Sequence, residues 1–183
     1  MSKFNSYKGC PVRRVALLFF ILLIVFGFFA SCTTPPAIST FLIGDGKMQY
    51  FIRPVPIKGK DLVSSVDFTI HVSDGVPEDS VVVNYTLDGQ PLGEINAEKV
   101  KVSLICGEKE FALEDSKVLY KSVTPNAVRF TSTLKSKDFV SLVYDESMIT
   151  LCFTSSSGKQ VKVDSSKLRK SFSDLRSVVI ESN

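Results

Sequence analysis

The chain is poor in the residue types that carry out catalysis. It has one histidine, His71, and four cysteines, none of them in a Cys-x-x-Cys pair. A zinc site needs several His or Cys ligands at set spacings, so a lone histidine with no such neighbours excludes the common hydrolytic zinc centres. No Gly-x-Ser-x-Gly is present, which removes the usual nucleophile elbow. The Asp-Gly pairs at Asp45, Asp74 and Asp88 lack the further oxygen ligands of a calcium loop and read as turns. Acidic clusters (Glu108, Glu110, Glu114 and Asp115; Asp145 and Glu146) offer carboxylates at no separation that sequence can fix. No metal or cofactor site is expected. No internal repeat or low-complexity tract is visible.

A different absence marks the start of the chain. Residues 1–31 contain no acid, but they carry Lys3, Lys8, Arg13 and Arg14 ahead of an uncharged run from Val15 to Phe29. Fifteen residues make a helix of roughly 22 Å, short of a hydrocarbon core of ~30 Å. Basic residues, a short apolar core and small residues behind it describe a secretory signal. The run ends in Phe29-Ala30-Ser31-Cys32. This tetrapeptide resembles the lipobox of bacterial lipoproteins, although Phe29 stands where that motif usually has Leu. The resemblance covers about a sixth of the chain. It implies cleavage between Ser31 and Cys32, a diacylglyceryl group on the Cys32 sulfur and acylation of the new amine. Contact with membrane lipid through these acyl chains is the partner it implies. The alternatives are an uncleaved anchor helix and cleavage by the ordinary signal peptidase. By further resemblance to the sorting rule of enteric bacteria, Thr33 in place of Asp leans towards the outer membrane over the inner.

Removing the signal changes the composition. It takes four of 22 basic residues and none of 19 acids, leaving 18 against 19 over residues 32–183. A near-neutral domain has no electrostatic footprint for nucleic acid, whose binding needs clustered Lys and Arg to neutralise phosphates. The length suits one domain. With Cys32 lipidated and Cys10 discarded, Cys106 and Cys152 remain as a candidate disulfide. Their strand contexts argue against it, because Cys106 falls on an apolar face and Cys152 falls with Thr150 and Thr154.

The expected organisation is a removed signal (1–31), a lipidated tether (32–46) and one β-rich domain (47–183). Period-two alternation recurs at Val66–Ser73, Val81–Asp88 and Val128–Leu134, the pattern of strands with one wet face. Shorter candidates lie at Met48–Arg53, Val100–Cys106, Lys109–Leu113, Lys117–Lys121, Ile149–Phe153 and Gln160–Val163. Two segments have helical spacing. One is Ser136–Val143, with Ser136 as its cap; the other is Ser165–Leu175, with Leu168, Phe172 and Leu175 on one stripe. Arg176–Ile180 reads as an edge strand. Short strands without βαβ spacing predict an antiparallel β-sandwich or open barrel with one or two short helices near the C-terminus.

Two function classes follow. The first is a binding or structural module of the cell envelope, contacting an envelope protein, a glycan or a small ligand through an apolar patch or an open sheet edge. The second is an envelope hydrolase, which requires a cleft where His71 or a cysteine meets acids. The basic side chains Lys167, Arg169, Lys170 and Arg176 form a stripe that anionic headgroups would attract.

Overall fold

The computed structural model describes residues 36–59, 63–88, 100–122 and 127–180. The expected signal, the expected cleavage site and Cys32 lie outside these residues. From Ala37 onward the chain forms one compact unit. It is a sandwich of two antiparallel sheets with two helices.

The larger sheet orders six strands as β1 (Ile38–Gly44), β2 (Lys47–Lys58), β3 (Val63–Ser73), β5 (Ser80–Asp88), β9 (Ala127–Lys135) and β8 (Glu114–Ser122). The two-residue β4 (Val76–Pro77) pairs with the far end of β3. The smaller sheet runs β11 (Gln160–Asp164), β10 (Ile149–Thr154), β6 (Lys101–Cys106) and β7 (Lys109–Ala112). Helix α1 (Ser136–Tyr144) joins β9 to the smaller sheet, and α2 (Ser166–Ile180) follows β11.

The alternation in the sequence becomes the inner faces. Tyr85 pairs with Val66 on one side and Phe130 on the other, and Val83 pairs with Phe68, so apolar side chains line up across three strands. In the smaller sheet Leu104 faces Leu151, and Val102 faces Phe153. Tyr85 links the two layers. Its ring stacks on Phe130 at 5.0 Å and lies 6.4 Å from Phe153 across the sandwich. At the other end, the helices are held by three rings. Phe172 of α2 meets Phe68 of β3 at 5.1 Å and Phe139 of α1 at 5.4 Å, and Phe68 and Phe139 are 5.7 Å apart. Edge-to-face contacts of this kind add about 0.5–1.5 kcal/mol beyond the area they bury.

Four expectations change. Residues 38–44, expected as tether, form an edge strand whose Ile38 packs opposite Ile52. An edge strand needs only one partner to satisfy half its backbone groups, so weak alternation suffices there. Residues 176–180, expected as a strand, continue α2, because nothing after Leu175 interrupts the helical hydrogen bonding. Ser136 is not the cap of α1; Lys135 holds that position without a side-chain capping bond, and the Ser136 hydroxyl donates to the Glu78 carbonyl instead. The cap role belongs in α2 to Ser165, whose hydroxyl accepts from the Leu168 amide at 3.1 Å. Strand β2 also runs further than expected. Its Pro54 sits at the bulge between Ile52 and Val55, and Pro56 lies beyond the last residue that β1 pairs, where a missing N–H costs nothing.

Phe172 is fully buried at the junction of both helices and the large sheet. Phe172→Ala should lower the unfolding free energy by about 3–5 kcal/mol, read as a shifted midpoint in urea denaturation. A loss under 1 kcal/mol would mean the three-ring cluster does not hold the helices.

Candidate functional site

The inner face of the large sheet is longer than the small sheet that covers it, and the helices roof the remainder. Ser136 ties the start of α1 to the β4–β5 turn, its amide donating to the Asp79 carbonyl at 2.9 Å. The other end of α1 is held by Arg169 of α2. That guanidinium donates to the carbonyls of Leu142 and Val143, each at 2.8 Å, and of Asp145. The last carbonyls of a helix have no partner within it, and a cation there also meets the negative end of the dipole.

Pinned at both ends, α1 packs on the sheet through Phe139, and beside that contact lies a cavity of about 180 Å³. Its floor is Tyr50 of β2, Ile70 and Val72 of β3, and Val81 of β5. Its walls are Phe139, Val140, Val143 and Tyr144 of α1 with Leu175 of α2, and Pro77, Ser136 and Arg176 stand at its margin. Val140 and Tyr144 lie one turn apart on α1, on the flank beside the buried Phe139 and Val143. They are 42% and 53% exposed, where a surface helix would normally carry polar residues. An engineered cavity of ~150 Å³ with an apolar lining stays dry and accepts benzene, so a space of this size and character suits an apolar group.

A second cluster lies on the opposite face of the same sheet. Asp67 of β3 is fully buried although its strand alternates as if that face were wet. Arg129 of β9 donates to Asp67 Oδ2 at 2.5 Å and to the Thr86 hydroxyl at 3.0 Å, and Asn84 donates to Asp67 Oδ1 at 2.9 Å. Asn84, which begins a glycosylation-like Asn-Tyr-Thr, therefore has its amide engaged inside the sheet. The arrangement is a closed ion pair that fixes three neighbouring strands in register.

The structure keeps His71 and the two cysteines apart from one another, although Cys106 lies beside the Asp145 carboxylate. His71 is on the outer face of β3, its Nδ1 3.8 Å from the Glu78 carboxylate at the surface. Cys106 is on the inner face of β6, opposite Ile149. Cys152 pairs with Ser103, three residues further along the same ladder, and so points to the other face of the sheet. Both cysteines are free and buried. The candidate disulfide does not form, because its sulfurs are on opposite sides of one sheet. The acids are dispersed: Glu110 accepts from Ser103 at 2.6 Å, Glu114 pairs with Lys135 at 3.1 Å, and Asp145 accepts the Ser147 amide at 2.9 Å. Among the described residues no group of three His, Cys, Asp or Glu could hold a metal, and no helix is long and apolar enough to cross a membrane. The cavity lining contains no histidine, thiol or carboxylate.

The basic stripe is also divided. Arg169 turns inward to cap α1, with its guanidinium 5.7 Å from the centre of the Phe172 ring. Lys170 and Arg176 line a shallow surface groove, and Arg176 also lines the cavity. Sequence reading missed the cavity because its floor is ordinary strand alternation. The available signal was Val140 and Tyr144, which widen the apolar stripe of α1 onto its exposed flank.

No protein-family model, curated protein or solved structure matches the chain.

Burial pushes the Cys106 thiol above its ordinary value, and the nearby Asp145 carboxylate adds to this. Burial likewise raises the Tyr85 phenol, against the lowering effect of the Ser116 and Ser132 hydroxyls. A raised pKa means the folded state favours the neutral form. The associated stability is complete below the ordinary values, near pH 9 and 10, and is lost as pH rises through the higher folded values. The melting temperature should therefore hold between pH 6 and 8 and fall above about pH 9. Tyr85→Phe should make that fall shallower. Peptide-resolved alkylation with iodoacetamide at pH 8 should leave Cys106 and Cys152 unmodified until the protein is denatured. Rapid labelling of either in the native state would contradict their burial.

Proposed function

We propose that the chain is a lipoprotein of the bacterial cell envelope that acts as a binding module, held to its membrane through acyl chains on Cys32. Export and lipidation rest on the resemblance of Phe29-Ala30-Ser31-Cys32 to the lipobox, behind an acid-free basic segment and a 15-residue apolar run. Each methylene buried in a bilayer contributes ~0.8 kcal/mol, and two or more chains hold durably. Thr33 after the modified residue favours the outer membrane.

The observation that carries the binding reading is the apolar cavity between α1 and the large sheet. Catalysis needs polar groups that converge on a reacting atom, and the lining offers hydroxyls and one guanidinium around an apolar floor. Of the three partner classes, a small ligand with an apolar part fits such a lining best. A glycan would need a polar face matched to its hydroxyls, and a protein partner would need a broader contact than this cavity provides.

Intact mass of membrane-extracted protein, beside a Cys32→Ala variant, tests the anchor. A species beginning at Cys32 with added acyl mass, lost in the variant, is the expected result; a full-length or unacylated product would overturn it. For the cavity, a neutral naphthylamine dye should bind the full chain in nanodiscs with one saturable site. Val140→Trp, which projects an indole from the cavity wall, should abolish that site. A saturable signal that survives Val140→Trp would place binding elsewhere.

A further inference from the structure

The cavity is not closed on all sides by apolar groups. Arg176 stands at its margin and also lines a shallow polar groove on the next surface, shared with Glu146, Ser166, Lys170 and Ser173. An apolar hole and a polar groove thus meet at one guanidinium. That guanidinium is only loosely engaged: Glu146 Oε1 is 3.7 Å away, on a side chain that is 84% exposed. A contact that long on so exposed a carboxylate is weak. Arg169, by contrast, is committed to the α1 carbonyls and is not available to a ligand.

Resting on the binding reading above, we infer that the site takes a medium-chain fatty acid, its tail in the cavity and its carboxylate on Arg176 in place of Glu146. The charge pattern selects the anion. Arg176 lines the cavity, Lys170 lines the adjoining groove, and the group already resting against Arg176 is itself a carboxylate. The volume admits an alkyl tail. A cavity of ~150 Å³ accepts benzene, so one of about 180 Å³ holds an apolar segment of several carbons, and the carbon atoms nearest the carboxylate span the margin. A carboxylate can accept two parallel N–H bonds from a guanidinium, which the long Glu146 contact does not achieve.

The test is photolabelling of the full chain in phosphatidylcholine nanodiscs. The probe is a decanoate carrying a diazirine near its methyl end, with crosslinked peptides mapped by mass spectrometry. Labelling should fall on the α1 segment containing Val140 and Tyr144. Unlabelled decanoate should compete, decanol and decylamine should compete poorly, and decyl phosphate should compete less well than decanoate. Arg176→Gln should weaken decanoate binding about tenfold and Arg176→Lys by less. Glu146→Gln, which removes the resident carboxylate without touching the cavity, should strengthen it by about two- to fivefold. Thermal midpoints of all variants report folding, and Glu146→Gln keeps the idea testable if Arg176→Gln is unstable. Equal competition by decanol, or no response to either Arg176→Gln or Glu146→Gln, would overturn the fatty-acid inference while leaving cavity binding intact. Stronger competition by decyl phosphate would reassign the headgroup and overturn the carboxylate. No labelling of α1 by the acid probe or by a decanol analogue would overturn both the inference and the binding reading.

Discussion

One guanidinium decides where the helices lie. Arg169 collects the carbonyls of Leu142, Val143 and Asp145, which α1 itself cannot satisfy, and does so from the first turns of a different helix. Its own face rests on Phe172, the ring that anchors α2 to both β3 and α1. The polar bond and the apolar packing act on the same residues, so α1 cannot slide along the sheet without unpairing buried carbonyls. Hydrogen bonds to a charged donor contribute about 1.5–3 kcal/mol, and stranding their acceptors costs a similar amount. The position of α1 beside the cavity is held for this reason.

The large sheet uses its two faces for different purposes. Inside, Tyr85, Phe130 and Phe68 set the thickness of the sandwich. Outside, the Asp67–Arg129 pair with Asn84 and Thr86 locks β3, β5 and β9 against slippage. A shift of one residue would turn each inner side chain outward and would also bury Asp67 without its cation, a penalty of several kcal/mol. Register is therefore specified twice, by apolar burial on one side and by a single ion pair on the other.

Period-two patterning was strong enough to locate the central strands and to assign Cys106 and Cys152 to opposite faces, because alternation reports a face directly. It could not reveal that Asp67 is buried. That burial arises from Arg129, 62 residues away, and exists only once β5 lies between their strands. Strand β1 was hidden for a related reason: Phe41, Leu42 and Ile43 are all exposed on an edge, so their sequence carries no two-sided contrast. The end of α2 was misread because Val178-Val179-Ile180 has high β propensity, which the preceding helical turns override. The cavity could not be read because it is a spacing between elements, whereas sequence patterns describe the elements one at a time.

The insertion of β6, β7 and β8 between β5 and the strand it pairs with, β9, has a consequence for the order of folding. Strands β1, β2, β3 and β5 follow one another closely in the chain and can zip together as successive hairpins. Strand β5 then waits for β9, whose nearest paired residue, Ala127, follows Asp88 by 39 positions. Non-local closures of this kind are slow. In the interval the β5 edge is bare, with Val81, Val83 and Leu87 uncovered and Asp67 lacking its cation. A chain emerging N-terminus first thus passes through a four-stranded half-sheet with an adhesive rim, a species that an escorting chaperone would recognise and that a crowded compartment would tend to aggregate. The final residues of β9 end that exposure, and they pass without a break into α1, so the same short stretch seals the sheet and begins the roof of the cavity.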